Sequence, residues 1–205
     1  MKKISLLFIA VLMSAVSFGQ FHIGPQVGYS ASNLSLNVDS ISNSMKNNFI
    51  VGAFVRLGNK IYVQPEVNYM TQGSIFKWPS FSNPSPLKQE ITIKTLQVPV
   101  NLGWKLIDAK VFNLRLMGGI VMNFNLNTDI TTSGDNSNYD GLVPDDFKNM
   151  TWQWDAGAGV DILMFALDVK YVGGITNILD DIKYENGTVT SKSSMFVVTL
   201  GWKIF

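Results

Sequence analysis

Few residues of this 205-residue sequence could carry out chemistry. It contains no cysteine, which excludes disulfides, thiolate metal sites and a lipid-modified N-terminal cysteine. His22 is the only histidine, so a catalytic arrangement or metal site that needs two imidazoles is excluded as well. No nucleophile elbow or serine triad signature is present. The sequence therefore predicts a protein that is not an enzyme, with no cofactor and no metal.

Acidic residues gather in two polar segments of the second half. They are Asp135, Asp140, Asp145, Asp146, Asp180, Asp181 and Glu185. Carboxylates could bind calcium, but the segment 135–140 lacks the ligand spacing of a calcium loop. We therefore interpret these residues as solvated.

A second set of charged residues lies in segments where polar and apolar residues alternate. All of them occupy the polar positions of that alternation, the same parity, which places them on one face of the predicted strands. They are Arg56, Glu66, Lys105, Arg115, Asp155, Asp161, Asp168, Lys170 and Lys203. Their basic and acidic members nearly balance. Because burying one charge alone is costly, we predict a salt-bridge network among them.

Eight segments show the period-two patterning of strands between polar, Gly-rich or Pro-rich breaks. They are Phe21 to Ala31, Phe49 to Leu57, Ile61 to Met70, Thr95 to Leu106, Phe112 to Leu126, Trp152 to Ile162, Phe165 to Ile175 and Met195 to Ile204. Most have about the ten residues that a tilted strand needs to cross a bilayer.

The connections between these strands alternate in length. The long polar ones are 32–48, 71–94, 127–151 and 176–194, and the short ones are 58–60, 107–111 and 163–164. The first short turn, 58–60, has three residues, and an odd number keeps Leu57 and Ile61 on the same face of the sheet. The alternation predicts an all-β, eight-stranded antiparallel up-and-down transmembrane β-barrel, with short periplasmic turns and long extracellular loops.

The opposite parity of the strands is apolar and uncharged, as a lipid-facing surface requires. Its aromatic residues concentrate at the two ends. Tyr29, Tyr69, Phe124, Trp152, Trp154 and Tyr171 are predicted near the long loops, and Trp104, Phe165 and Trp202 near the short turns. Two aromatic girdles are typical of membrane barrels. A soluble lipocalin-type barrel is the structural alternative, since apolar and polar residues also alternate along its strands.

The N-terminus carries Lys2 and Lys3, an apolar stretch and then small residues before Gln20. This pattern predicts a signal peptide over 1–19 and a barrel domain over 20–205. A membrane anchor is the alternative, but the apolar run is shorter than the roughly 20 residues of a spanning helix. With 16 basic and 15 acidic residues, the sequence gives no argument for nucleic acid as a partner.

An eight-stranded barrel is only wide enough for side chains to fill it. The charged inward face therefore predicts a plugged lumen, with a narrow pore for protons or small solutes as the alternative. The expected partners are outer-membrane lipid, the barrel assembly machinery during biogenesis, and envelope proteins.

Four stretches carry a family resemblance. They are Ser17-Phe18-Gly19-Gln20, Thr95-Leu96-Gln97-Val98-Pro99-Val100, Gly157-Ala158-Gly159-Val160 leading into Phe165-Ala166-Leu167-Asp168-Val169-Lys170-Tyr171, and Leu200-Gly201-Trp202-Lys203. In them the chain resembles the PorT-like outer-membrane β-barrel family, also described as porin-family proteins, over nearly the whole mature length.

That resemblance implies an integral barrel in the outer membrane of a Gram-negative bacterium. One founding member is linked to protein secretion, so an accessory role in a secretion or assembly complex is implied as a further alternative. The family supplies no catalytic residues. Such barrels usually end with an aromatic residue in the lipid-facing register. Here Trp202 and Ile204 hold that register, and Phe205 falls one position beyond it.

Overall fold

The computed structural model describes residues 21–36, 42–77, 88–109, 111–133, 143, 147–178, 183–184, 187–188 and 191–204. The predicted signal peptide, the acidic loop residues and Phe205 lie outside these described residues. Within the described ranges, no helix has the length and apolarity needed to cross a membrane.

Eight long antiparallel strands form a closed barrel. They are β1 (Phe21–Leu36), β2 (Ser42–Gly58), β3 (Ile61–Lys77), β4 (Lys88–Asp108), β5 (Phe112–Ser133), β6 (Met150–Ile162), β7 (Phe165–Gly174) and β10 (Ser191–Trp202). Two short strands, β8 (Lys183–Tyr184) and β9 (Gly187–Thr188), pair with each other between β7 and β10. Each long strand pairs with the next along the chain, and β1 pairs with β10 to close the ring. The predicted eight-stranded up-and-down barrel is confirmed.

Several strands are longer than predicted. β4 has 21 residues and β5 has 22, about twice the length that a tilted strand needs to cross a bilayer. Part of each predicted long loop is therefore strand; for example, Lys88 to Lys94 pair with Asn127 to Ser133. These extensions are polar on the outside, so the apolar alternation used to place the strands ends before the backbone pairing does.

The outer surface changes character at the base of these extensions. Leu96 and Phe124 are the last apolar outward pair of β4 and β5, and they face each other across the two strands. Beyond them, Lys94 Nζ lies 2.9 Å from Asp129 Oδ2 on the exposed surface. Since charges are costly against lipid tails, this ion pair marks the upper limit of the lipid-facing belt.

The end of the barrel with the short connections, here the short-turn end, is tied together by backbone hydrogen bonds between neighbouring turns. The amide of Lys105 donates to the Lys60 carbonyl at 2.8 Å, and that of Lys203 donates to the Met164 carbonyl at 2.7 Å. Gly58 has a φ of 123°, which an L side chain rarely adopts, so the first turn depends on glycine. The opposite end is called the long-loop end.

The seam between β1 and β10 closes the barrel. Its pairing runs from Gln26 with Gly201 to Leu36 with Ser191, and the Ile204 amide adds a 2.8 Å hydrogen bond to the Ile23 carbonyl. Trp202 is exposed on the outer surface, in the register expected of it. The seam therefore places both described ends of the chain at the short-turn end.

Candidate functional site

The interior of the barrel holds the predicted charged residues. Five of them lie close to the short-turn end on β2, β5, β6, β7 and just after β10, and we call this group the basal network: Arg56, Arg115, Asp161, Asp168 and Lys203. Period-two alternation turns each of them inward, and the short turns on each side bring them to a similar height. The side chains of Arg56 and Arg115 are fully buried, with 0% exposure.

Asp161 is the centre of the basal network. Arg56 Nη1 donates to Asp161 Oδ2 at 2.7 Å, and Lys203 Nζ lies 3.4 Å from the same oxygen. Arg115 Nη2 lies 2.8 Å from Asp161 Oδ1 and donates to Asp168 Oδ1 at 2.6 Å. The two arginines thus share the carboxylate of Asp161, and Arg115 has Asp168 in addition, which offsets the cost of burying their charge.

Tyr62 on β3 supports both arginines. Arg115 Nη1 donates to its hydroxyl at 3.1 Å, and Arg56 Cζ lies 4.9 Å from its ring centroid. This geometry adds a cation–π contact to the ion pairs. A side chain at position 159 would overlap Asp168 and come within 2.8 Å of Arg115 Nη2, so Gly159 makes room for this part of the network.

Glu66 on β3 forms a second polar group above the basal network. It accepts hydrogen bonds from five side chains, with which it forms what we call the Glu66 cluster: Gln26, Gln64, Asn68, Asn101 and Lys170. The shortest is the 2.7 Å ion pair with Lys170 Nζ. Gln64 also accepts from Arg56 Nε at 2.8 Å and so links this cluster to the basal network.

Asp155 is less well partnered than Glu66. Its Oδ2 lies 4.0 Å from Lys170 Nζ, at the limit of an ion pair, and its Oδ1 has no hydrogen-bond partner among the described residues. The structure therefore brings seven of the nine predicted charged residues into two adjoining groups, with Asp155 at their edge.

Lys105 differs from the prediction. Its ammonium lies 3.5 Å from Asp108 at the short-turn end, where Asp108 is 41% exposed. Asp108 follows the predicted end of the fourth strand, so the pattern used to define the strands excluded it. The predicted network included Lys105, but its ion pair with Asp108 lies at the mouth of the barrel.

An apolar layer lies on the long-loop side of the charged groups. It is a cluster of buried inward residues: Ile50, Met70, Val121, Val172, Met195 and Val197. None is more than 3% exposed. Only the charged residues of the inward parity were predicted to fill the lumen. This layer was not predicted, although its members have the same parity.

The predicted girdle aromatics all lie exposed on the outer surface. Near the long-loop end some contact each other: Tyr171 is between Trp154 and Phe196, with ring centroids 5.6 and 5.1 Å away. Tyr29 and Phe49 form an edge-on pair at 5.9 Å. Outward aromatic rings at this height suit the amphipathic boundary of a bilayer.

The chemistry of the interior is that of fixed, paired charges. In the described part of the chain, no three or more His, Asp or Glu side chains are grouped so that they could hold a metal ion. The buried arginines and carboxylates are engaged with each other, which suits them to filling space and fixing the position of strands.

Several solved structures resemble the chain. Ail of Yersinia pestis, in a complex with the heparin analogue sucrose octasulfate, is 11% identical, and the match covers 90% of this chain and 99% of Ail with a TM-score of 0.49. Neisserial surface protein A is 11% identical over 89% of this chain and 97% of its own, with a TM-score of 0.45. E. coli outer membrane protein W is 14% identical over 91% and 98%, with a TM-score of 0.42.

No curated protein matches the sequence significantly. A family model described as outer membrane protein beta-barrel domain matches residues 14–180. The match begins within the predicted signal peptide and extends beyond β7, so it covers most of the chain. The chain belongs to the outer membrane protein β-barrel domain family.

Proposed function

We propose that the protein is a closed, non-enzymatic barrel of the Gram-negative outer membrane that serves a structural or interaction role. The observation that carries the proposal is the filling of its interior by side chains, among which the basal network and the apolar layer form two layers at different heights. Arg56 and Arg115 are held by Asp161 and Asp168 in the basal network, and the apolar layer lies above them.

The two layers oppose conduction for different reasons. The paired charges occupy the space that an ion would need, and they satisfy one another without it. The side chains of the apolar layer cannot replace the water around a hydrated ion, which makes the passage of an ion between them unfavourable. A narrow pore, the alternative function, would have to pass through both layers.

Planar-bilayer recording of the purified barrel tests this proposal. We expect no steady conductance from the wild type or from Lys94→Gln, a control that removes a charge from the outer surface. A steady wild-type conductance that changes in Arg115→Gln, but not in Lys94→Gln, would show that ions cross the lumen and would overturn the proposal.

The interaction role is supported by the strand extensions beyond the lipid-facing belt. They raise a paired, polar wall above the expected membrane surface, where Thr131 of β5 is exposed. A photo-crosslinking amino acid at Thr131 is expected to give a discrete protein adduct in intact cells, whereas one at the lipid-facing Val198 is not. The same adduct pattern at both positions would contradict a role for this wall.

Two finer parts of the proposal rest on the sequence. A signal peptide that ends at Gly19 predicts a mature protein that begins at Gln20, which mass spectrometry of the protein from isolated outer membranes would test. The PorT-like resemblance supports the alternative of an accessory subunit in a secretion or assembly complex. Normal export of all secreted proteins in a deletion strain would exclude that alternative.

A further inference from the structure

Two buried carboxylates, Glu66 and Asp155, share the ammonium group of Lys170 unequally. Glu66 takes the lysine at 2.7 Å and accepts four further hydrogen bonds, whereas Asp155 lies 4.0 Å from it. Asp155 is 3% exposed. A carboxylate buried to this extent needs close compensation of its charge. Lys170 lies much closer to Glu66, and the other groups that hydrogen-bond Asp155, the Asn101 side chain and the Gly119 backbone, are uncharged.

Unpartnered oxygens of two neighbouring side chains accompany Asp155 on the inner wall. Gln153, two residues away on the same face of β6, is 1% exposed, and neither atom of its amide has a hydrogen-bond partner among the described residues. Asn101 of β4 is 0% exposed, and its Oδ1 has no such partner either. Buried polar atoms without partners are rare and indicate a missing ligand or water.

Strand pairing brings these groups together. Gly119 of β5 pairs with Asn101 on one side and with Asp155 on the other, and it has no side chain to separate them. Asn101 Nδ2 donates to Glu66 Oε1 at 3.3 Å, and the Asn101 side chain also hydrogen-bonds Asp155. A Cβ built on Gly119 would lie 2.6 Å from Asn101 Oδ1, so this oxygen lies over the glycine that separates Asn101 from Asp155.

We propose that Asp155 Oδ1, Asn101 Oδ1 and Gln153 Oε1 form a binding site for one monovalent metal cation, Na⁺ or K⁺. Carboxylate and amide oxygens are the hard ligands that such ions prefer. The site contains one carboxylate, and one positive charge compensates it. Water can complete the coordination and accept a hydrogen bond from Gln153 Nε2.

Equilibrium unfolding of the purified full-length barrel in a nonionic detergent tests the site. Urea titrations are compared in NaCl, KCl and N-methyl-D-glucamine chloride at one ionic strength, since the organic cation is too large to bind. When the metal cation is about tenfold above its Kd, the unfolding constant of the wild type should be roughly tenfold lower than in the organic salt.

Asp155→Asn and Gln153→Leu should abolish this dependence on the identity of the cation, whatever they do to the stability itself. Asp129→Asn, which removes an exposed carboxylate of β5, should keep it. An equal unfolding constant for the wild type in all three salts would overturn the proposal, as would a dependence on the cation that Asp155→Asn retains.

Crystals of the barrel soaked in Tl⁺ provide a direct measurement. An anomalous peak between Asp155, Asn101 and Gln153 in the wild type, absent from Asp155→Asn, is the expected result. Water alone at this position, with no anomalous signal, would show that hydration satisfies these oxygens and that the cation site does not exist.

Discussion

The basal network and the apolar layer fill the same lumen in opposite ways. In the basal network, Arg56 and Arg115 are fully buried and each needs a carboxylate within hydrogen-bond distance. In the apolar layer, residues such as Met70 and Val121 are equally buried but need only a neighbour of suitable shape. Both layers arise from the same inward parity of the strands.

The difference concerns what happens when one member is lost. A buried charge that loses its partner keeps its full desolvation cost, so the remaining members become unfavourable. A buried apolar side chain that is truncated loses its own contacts and leaves a cavity. The basal network is therefore expected to be more sensitive to single substitutions than the apolar layer.

Arg115→Met should have the largest effect, because it removes the only ion pair that the described residues give Asp168 and one of the cations beside Asp161. We expect the free energy of unfolding to fall by about 3–5 kcal/mol. Urea unfolding followed by tryptophan fluorescence measures it, with Lys203→Met at the partly open end of the network as the comparison. If Arg115→Met lowered the free energy of unfolding no more than Lys203→Met does, the expected sensitivity of fully buried, paired charges would be contradicted.

Met70→Ala tests the apolar layer. The substitution leaves a cavity beside Ile50, its cross-strand neighbour, and we expect a loss of roughly 2–3 kcal/mol, at the lower end of the range because methionine packs adaptably. Val67→Ala on the outer face of the same strand is the control and should change stability far less. If Met70→Ala cost more than Arg115→Met, the order of the two layers would be reversed.

Gly159→Ala tests how closely the basal network is packed. The added methyl group would overlap Asp168 and press on Arg115, and forced repacking of this kind costs about 1–3 kcal/mol. Gly118→Ala is the matched control, since its methyl group would meet only a backbone oxygen, at 3.3 Å. The same urea titration compares the two variants. Equal losses would show that the network yields easily to added volume.

The smallest effect is expected at Lys94 and Asp129, an ion pair exposed to water. The hydrogen bond and charge of Lys94 lower the pKa of Asp129, and the same pairing raises the pKa of Lys94. Because the pKa of Asp129 is lower in the folded state, the pair stabilises the strand extension above the ordinary pKa of aspartate. That stabilisation is lost as the pH falls through the lowered value.

Carboxyl NMR titration measures this small effect. Lys94→Gln should raise the titration midpoint of Asp129 towards its ordinary value, and Asn127→Ala should raise it less. A midpoint that is unchanged in Lys94→Gln would mean that the exposed pair does not form in solution.

The sequence predicted the barrel well because alternation and loop length are local signals. The strand number, the inward parity of Arg115 and the outward parity of Trp202 all follow from counting residues by twos. The strand extensions could not be found in this way, because residues 88–94 and 127–133 pair outside the lipid-facing belt and need no apolar face.

The interior was only partly predictable. The charges were placed on the correct face, but their partners depend on how far neighbouring strands are shifted along each other, which alternation does not reveal. The role of Glu66 as the acceptor for four amides and a lysine therefore emerged only from the structure. The apolar layer could have been predicted, since Ile50, Met70 and Val121 have inward parity.

The seam between β1 and β10 has a consequence for the order of events during folding. Each of the other strand pairs joins neighbours along the chain, whereas the seam must bring together the first and last strands of the barrel. Closing so long a loop is entropically the most costly pairing, and non-local pairing of this kind is slow. We expect the hairpins to assemble first and the seam to form last, so that ring closure sets the pace of folding.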